Sequence, residues 1–137
     1  MPQIGEIVSW PKYTFPDGGS SDKLFIVLND ALSDDALCLL LITTSQEKLY
    51  LNYINGCNYN LKAFHIPLEW GECLPLPTFI ELPIIVEKSC LELWGLFANG
   101  VKIWRRKLSV NCMNNLKECL KLFSRDIQPR HYSLIFN

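Results

Sequence analysis

The sequence predicts a mainly β domain that ends in one amphipathic α-helix. Two short apolar runs with β-branched members, Leu24–Asn29 and Leu37–Thr43, are typical of strands that are buried on both faces. The helix is indicated by Ser109, a good N-cap residue, followed by apolar residues at helical spacing. The length of 137 residues suits a single domain, residues 1–137, with its own core.

Further strands are predicted on either side of these runs. Ile4–Trp10 alternates and is expected to end at Pro11. Because short connections join the first three strands, we expect them to form an antiparallel meander. The later elements are predicted strands at Lys62–Ile66, Thr78–Val86 and Lys102–Lys107, a helix or strand at Ser89–Phe97, and an extended tail through Leu134, Ile135 and Phe136.

The composition excludes several classes of protein. A hydrophobic content of 49% with 20% charged residues is typical of a folded globule and not of a disordered chain. The apolar runs are shorter than the roughly 20 residues of a membrane span, so no membrane association is expected. The first residues have neither the basic start nor the apolar core of a signal peptide, which predicts a cytoplasmic protein.

The six cysteines are spread along the chain without a Cys-x-x-Cys pair. This spacing indicates neither a zinc site nor a dense disulfide framework. Cys112 and Cys119 lie seven residues apart on the apolar face of the predicted helix, where we expect them to be core thiols.

Charge is unevenly distributed along the chain. Residues 1–92 contain five Lys or Arg against twelve Asp or Glu, whereas residues 93–137 contain eight against two. A basic end can bind nucleic acid or an acidic protein, and it can also be ordinary helix surface.

A polar loop that leads directly into a buried strand is the first candidate site. Residues 15–23 combine turn residues with hydroxyls, carboxylates and one ammonium, the group of Lys23. A loop of this kind on a rigid strand is a usual arrangement for ligand binding, and the alternative is a long hairpin loop without function. Its candidate ligand-binding residues are Asp17, Gly18 and Asp22.

Three hydroxyl residues and an amide, Thr43, Thr44, Ser45 and Gln46, close the third predicted strand. In an up-and-down meander this strand end and Lys23 lie at the same end of the sheet. The cluster could therefore hold a phosphate together with Lys23, although Thr and Ser are also ordinary strand-end residues.

Two further features have both a functional and a structural interpretation. His65, in a predicted strand, has an ordinary pKa suited to proton transfer near neutrality, but a strand histidine is often structural. Lys102–Lys107 places four cations around Trp104, so that Trp104, Arg105 and Arg106 form either a phosphate-contacting patch with a stacking ring or a solvated edge strand.

These motifs, in this order, resemble the MazF/PemK-like toxins of toxin–antitoxin modules, in a divergent PemK-like branch. The resemblance covers roughly the whole chain in order. It rests on these short motifs: Ile4-Gly5-Glu6-Ile7-Val8, Phe15-Pro16-Asp17-Gly18-Gly19, Asp22-Lys23-Leu24-Phe25-Ile26-Val27-Leu28, Ile42-Thr43-Thr44-Ser45, Gly56-Cys57, Phe64-His65-Ile66-Pro67, Thr78-Phe79-Ile80 and Leu108-Ser109. It implies a small SH3-like antiparallel barrel with a packed C-terminal helix, in a homodimer. It also implies a metal-independent endoribonuclease without a cofactor, which cleaves single-stranded RNA and is inhibited by a cognate antitoxin.

The resemblance also assigns roles to residues. In the family an Arg-Pro pair opens the second strand, and its arginine acts with a hydroxyl residue at the end of the third strand. In this sequence Lys23-Leu24 stands at the position of the Arg-Pro pair, and Thr43 or Thr44 at the position of the hydroxyl residue. Lysine holds a phosphate as a point charge and lacks the bidentate fork of arginine. The alternative prediction is therefore a catalytically degenerate barrel that binds RNA or a protein partner.

Overall fold

A computed structural model describes residues 2–33 and 36–136 of the chain. In this part of the chain, seven strands form one antiparallel sheet in the order β4-β5-β6-β3-β2-β1-β7. The strands are β1 (Glu6–Thr14), β2 (Ser20–Val27), β3 (Leu37–Thr44), β4 (Gly56–Asn58), β5 (Ala63–Ile66), β6 (Thr78–Ser89) and β7 (Lys102–Lys107). The helices are α1 (Cys90–Leu96), α2 (Val110–Lys121) and α3 (Pro129–Phe136). The protein is therefore a β-rich α+β fold, and no pairing of β4 with β7 closes the described sheet.

The predicted meander of the first three strands is present, but the predicted end of β1 at Pro11 is wrong. The strand continues to Thr14 because an irregularity between Trp10 and Tyr13 absorbs the proline. Within it, Lys12 has a φ of +52°, and its backbone N–H donates to Asp22 Oδ1 at 2.9 Å. Asp22 thus joins β1 to β2 at this irregularity.

The sheet separates two apolar clusters. On one face, α2 covers residues such as Ile26, Leu41 and Ile80. On the other face, Phe25 and Leu40 pack with Leu93 of α1. Because β2 and β3 place alternate side chains into both clusters, they are buried on both faces, as their unbroken apolar runs predicted.

The helices α1 and α2 each start with a serine cap. Ser89 begins α1 with a capping box, since its hydroxyl accepts from Glu92 N and the Glu92 carboxylate accepts from Ser89 N. The segment Ser89–Phe97, whose apolar residues fitted both the helix period and the strand period, therefore contains a helix. Ser109 caps α2 as predicted, with its hydroxyl accepting from Cys112 N at 3.1 Å.

The prediction of an extended C-terminal tail is wrong. Residues 129–136 form α3, in which His131 and Ile135 are buried. Pro129 occupies the first helical position, where a proline costs no hydrogen bond and its φ already suits the helix.

The cysteine prediction needs one correction. Cys57 and Cys119 form a disulfide, with Cα atoms 5.5 Å apart, so Cys119 is not a free core thiol. Cys112 is a buried free thiol, as predicted. The bond ties the edge strand β4 to α2 across 62 residues of sequence.

Among the described residues, no helix is both long enough and apolar enough to cross a lipid bilayer.

Candidate functional site

A cavity of about 230 Å³ lies where β2 begins and β3 ends. Six of the predicted site residues line it: Asp22, Lys23, Thr43, Thr44, Ser45 and Gln46. The wall also includes Pro75 and Leu76 from the connection before β6, and Thr78, the first residue of β6. The end of β3 and the start of β2 therefore share one concave surface, the strand-end cavity. Residues 20–23, predicted as part of the polar loop, belong to β2.

Lys23 places its ammonium at the third strand. Its Nζ donates to the backbone carbonyl of Thr43 at 3.3 Å and lies 5.8 Å from the centre of the Phe15 ring. The side chain is partly exposed. One carbonyl leaves the ammonium with further donor capacity, so it can also bind an anion in the cavity.

The two threonine hydroxyls are engaged within the protein. Thr43 Oγ1 donates to the backbone carbonyl of Leu24 at 2.8 Å, and Thr44 Oγ1 accepts from Gln46 N at 3.2 Å. Both residues are buried. Ser45 and the side chain of Gln46 are exposed, so these are the polar groups of the strand end that a ligand can reach.

His65 lies outside the strand-end cavity. It is 3% exposed, and its ring lies 4.7 Å from Tyr53 and 4.3 Å from Phe79. Burial lowers the pKa of His65, with a smaller opposing effect from a hydrogen bond to the Thr78 backbone. A neutral, buried imidazole suits a structural role in this aromatic cluster better than contact with a substrate.

Asp17 and Gly18 shape the tip of the β1–β2 hairpin. Asp17 Oδ1 accepts from Gly19 N at 2.9 Å, and Gly18 has a φ of +93° that favours glycine. Both residues are exposed, and neither lines the strand-end cavity. Their positions indicate a turn role, which is the structural alternative for this loop.

The basic strand β7 is separate from the strand-end cavity. Trp104 packs partly against the α2-side core, and Arg105 forms an ion pair with Glu6, with Nη1 3.1 Å from Oε2. Arg106 lines a different cavity, near the start of α2. The three residues therefore do not join Lys23 in one site.

Glu81 is a candidate that the sequence did not reveal. Burial raises the pKa of its carboxyl, and the positive charge of Lys23 opposes that shift. Burial and the charge of Glu81 in turn raise the pKa of Tyr50, whose ring stacks on Phe79 at 4.5 Å. The available signal was a carboxylate between the apolar residues 79–80 and 82–86 of β6, but only the sheet order brings it near Lys23.

The fold and this site define a β-rich α+β protein with a polar cavity at a strand end, lined by the Lys23 ammonium and the Asp22 carboxylate. A comparison with models of protein families found no match, and neither did a comparison with curated protein sequences. Among the described residues, no group of three or more His, Cys, Asp or Glu side chains lies together as a metal site.

Proposed function

We propose that the protein is a MazF/PemK-like endoribonuclease that binds a phosphodiester of single-stranded RNA in the strand-end cavity. The observation that carries this proposal is the position of the Lys23 ammonium, 3.3 Å from the Thr43 carbonyl in a cavity also lined by Ser45. The Lys23 ammonium and the Ser45 hydroxyl suit the charge of a phosphate, and the Asp22 carboxylate in the same lining accepts from the Lys12 backbone N–H.

The proposed reaction is attack of the ribose 2′-hydroxyl on the adjacent phosphorus, which breaks the bond to the 5′-oxygen and leaves a cyclic phosphate. Lys23 would stabilise the charge on the phosphate, and Ser45 would donate to one of its oxygens. A base must take the hydroxyl proton and an acid must protonate the leaving oxygen. Glu81 suits the first role better than His65, because its carboxyl is half-buried and interacts with the charge of Lys23, whereas His65 is 3% exposed and lies outside the cavity.

The resemblance extends the proposal beyond the cavity. It includes an SH3-like arrangement of the sheet, a homodimer, a cognate antitoxin that blocks the RNA site, and action in the cytoplasm. The antiparallel order β6-β3-β2-β1-β7 and the helix that covers one face are compatible with such an arrangement.

Incubation of the purified protein with a long single-stranded RNA and EDTA tests the proposal. We expect cleavage with cyclic phosphate ends, slowed about 100-fold by Lys23→Ala, since loss of one well-placed stabiliser commonly costs that much. Arg125→Ala, which removes an exposed cation outside the cavity, is the matched control and should cleave like the wild type. Absence of cleavage by the wild type, or equal rates for Lys23→Ala, would refute the nuclease proposal.

A second function, RNA binding without cleavage, is favoured by the engaged hydroxyls of Thr43 and Thr44 and by the burial of His65. These three residues were the expected catalytic partners of Lys23. Salt-sensitive RNA binding that Lys23→Ala weakens, without any product, would support this function over catalysis.

A further inference from the structure

Two adjoining cavities follow one side of α2, away from the strand-end cavity. The larger, of about 640 Å³, lies near the start of the helix, and the other, of about 420 Å³, lies near its end. Both are lined by Trp70 and Asn115, so Trp70 stands where they meet. We call the two cavities together the α2 groove.

One wall of the α2 groove is a stripe along the helix and its C-cap. Asn111, Asn115, Glu118 and Leu122 follow at spacings of four, three and four residues, which places them on one helix face. Asn111 and Asn115 are exposed, and their side chains have no hydrogen bond within residues 2–33 and 36–136. Each carboxamide can therefore both donate to and accept from a ligand.

The ends of the α2 groove differ in charge. At the start of α2 lies Arg106, an exposed guanidinium without an ion pair in the described part of the chain, and beside it Lys107, which donates to Gln3. The one carboxylate there, that of Glu72, is bound by the backbone N–H and hydroxyl of Ser109, both at 2.7 Å. This end can therefore accept an anionic group.

The other end of the α2 groove is apolar. It is lined by Phe64, by the Cys57–Cys119 disulfide and by Leu122, which is 57% exposed. Its one charged group is Glu118, whose carboxylate lies 3.5 Å from Lys121 Nζ. The residues that line this end include no cation, and the nearby Lys121 is paired with Glu118, whereas an aliphatic or aromatic side chain would bury apolar surface there.

We propose that the α2 groove binds an extended peptide segment of a partner protein, with an acidic side chain at Arg106 and an apolar side chain beside Leu122. Four residues of helix rise about 6 Å, and two residues of extended chain about 6.6 Å, so Asn111 and Asn115 match alternate peptide groups. From Asn111 to Leu122 the helix rises about 16 Å, the length of about five extended residues. A nucleic acid with one phosphate at Arg106 would place another phosphate at the other end of the groove. That end is apolar and carries the Glu118 carboxylate, so it does not suit a phosphate.

Selection of a displayed library of random short peptides against the full purified chain tests this proposal. We expect enrichment of peptides with Asp or Glu about five residues from Leu, Ile, Phe or Met. For the best peptide, synthesised with a fluorescent label, Asn115→Ala should raise Kd at least threefold and Arg106→Glu at least tenfold. The matched controls are Asn114→Ala, an exposed asparagine next in sequence that lines a different cavity, and Arg125→Glu.

The substituted side chains are exposed and have no described partner, so the variants should keep the thermal midpoint of the wild type. Failure to enrich any peptide, or equal Kd values for the variants and the wild type, would overturn the proposal. Binding of a short single-stranded RNA that Asn115→Ala weakens would also overturn it, in favour of a nucleic-acid groove. The test is independent of the nuclease proposal, because Lys23→Ala should leave peptide binding unchanged.

Discussion

The Arg105 guanidinium neutralises the Glu6 carboxylate, which is 1% exposed, with Nη1 3.3 and 3.1 Å from its two oxygens. Glu6 also accepts from Gln3 N at 2.7 Å. Arg105, predicted from the sequence as a possible phosphate contact, therefore joins β7 to β1. The neighbouring Arg106 is exposed at the α2 groove.

Arg105→Met should destabilise the protein by about 2 kcal/mol, because it leaves a buried carboxylate without its cation. Arg106→Met should change the free energy of unfolding by less than about 0.5 kcal/mol, as expected for an exposed side chain. Urea unfolding of both variants checks the difference. Equal losses would mean that the ion pair with Glu6 contributes nothing specific.

Reduction of the Cys57–Cys119 bond should lower the free energy of unfolding by about 4 kcal/mol, because it releases a 62-residue constraint on the unfolded chain. Cys57→Ser should show the same loss and no response to dithiothreitol. Cys73→Ser, which removes a partly buried free thiol, should keep the response of the wild type. Thermal scans with and without reductant measure all three; a wild type that ignores reductant would contradict the prediction.

The raised pKa of Glu81 predicts a stability change with pH. Because the folded state favours the protonated carboxyl, its contribution is present below the ordinary pKa of 4.5 and is lost as pH rises through the raised value. Glu81→Gln should therefore gain stability over the wild type as pH rises from 4.5 to about 7.5.

Glu92→Gln is the control of opposite sign for this series. The hydrogen bond from Ser89 N lowers the pKa of Glu92, so its contribution is present above pH 4.5 and is lost in acid. Urea unfolding across the pH range compares both variants with the wild type. A Glu81→Gln difference that does not vary with pH would show that Glu81 titrates normally.

Thr43→Val should cost about 1 kcal/mol, because it keeps the side-chain shape but removes the hydroxyl that binds the Leu24 carbonyl. Thr43→Ser keeps the hydroxyl and should retain most of the RNA cleavage or binding of the wild type. If Thr43→Val keeps its stability but loses the RNA activity that Thr43→Ser retains, the hydroxyl acts on the ligand and not on β2. Chemical unfolding and the RNA assay together separate these cases.

Local signals in the sequence predicted most of the elements. Unbroken apolar runs identified β2 and β3, and Ser109 with its helical spacing identified α2. Two errors arose because a proline is compatible with more than one local structure. Pro11 was expected to end β1, but it lies at an irregularity within the strand. Pro129 was expected to lead into an extended tail, but it starts α3.

The site was predictable only where residues lie near one another along paired strands. The meander brought Lys23 to Thr43, which the structure places in one cavity. Contacts between distant segments gave no such signal. The sheet order brings Glu81 close enough to interact with the charge of Lys23, and the packing of α2 places Asn115 in the same cavity lining as Trp70. The disulfide joins cysteines 62 residues apart.

The pairing of β1 with β7 joins the first strand to one almost a hundred residues later, with Ile7 opposite Trp104. During synthesis on the ribosome, β1 can pair with β2 early, but its other edge waits until β7 has emerged. Until then the Glu6 carboxylate has no Arg105, and the nascent chain exposes an open strand of the kind that chaperones and aggregating neighbours bind. Completion of the sheet is thus timed by translation of the basic C-terminal part.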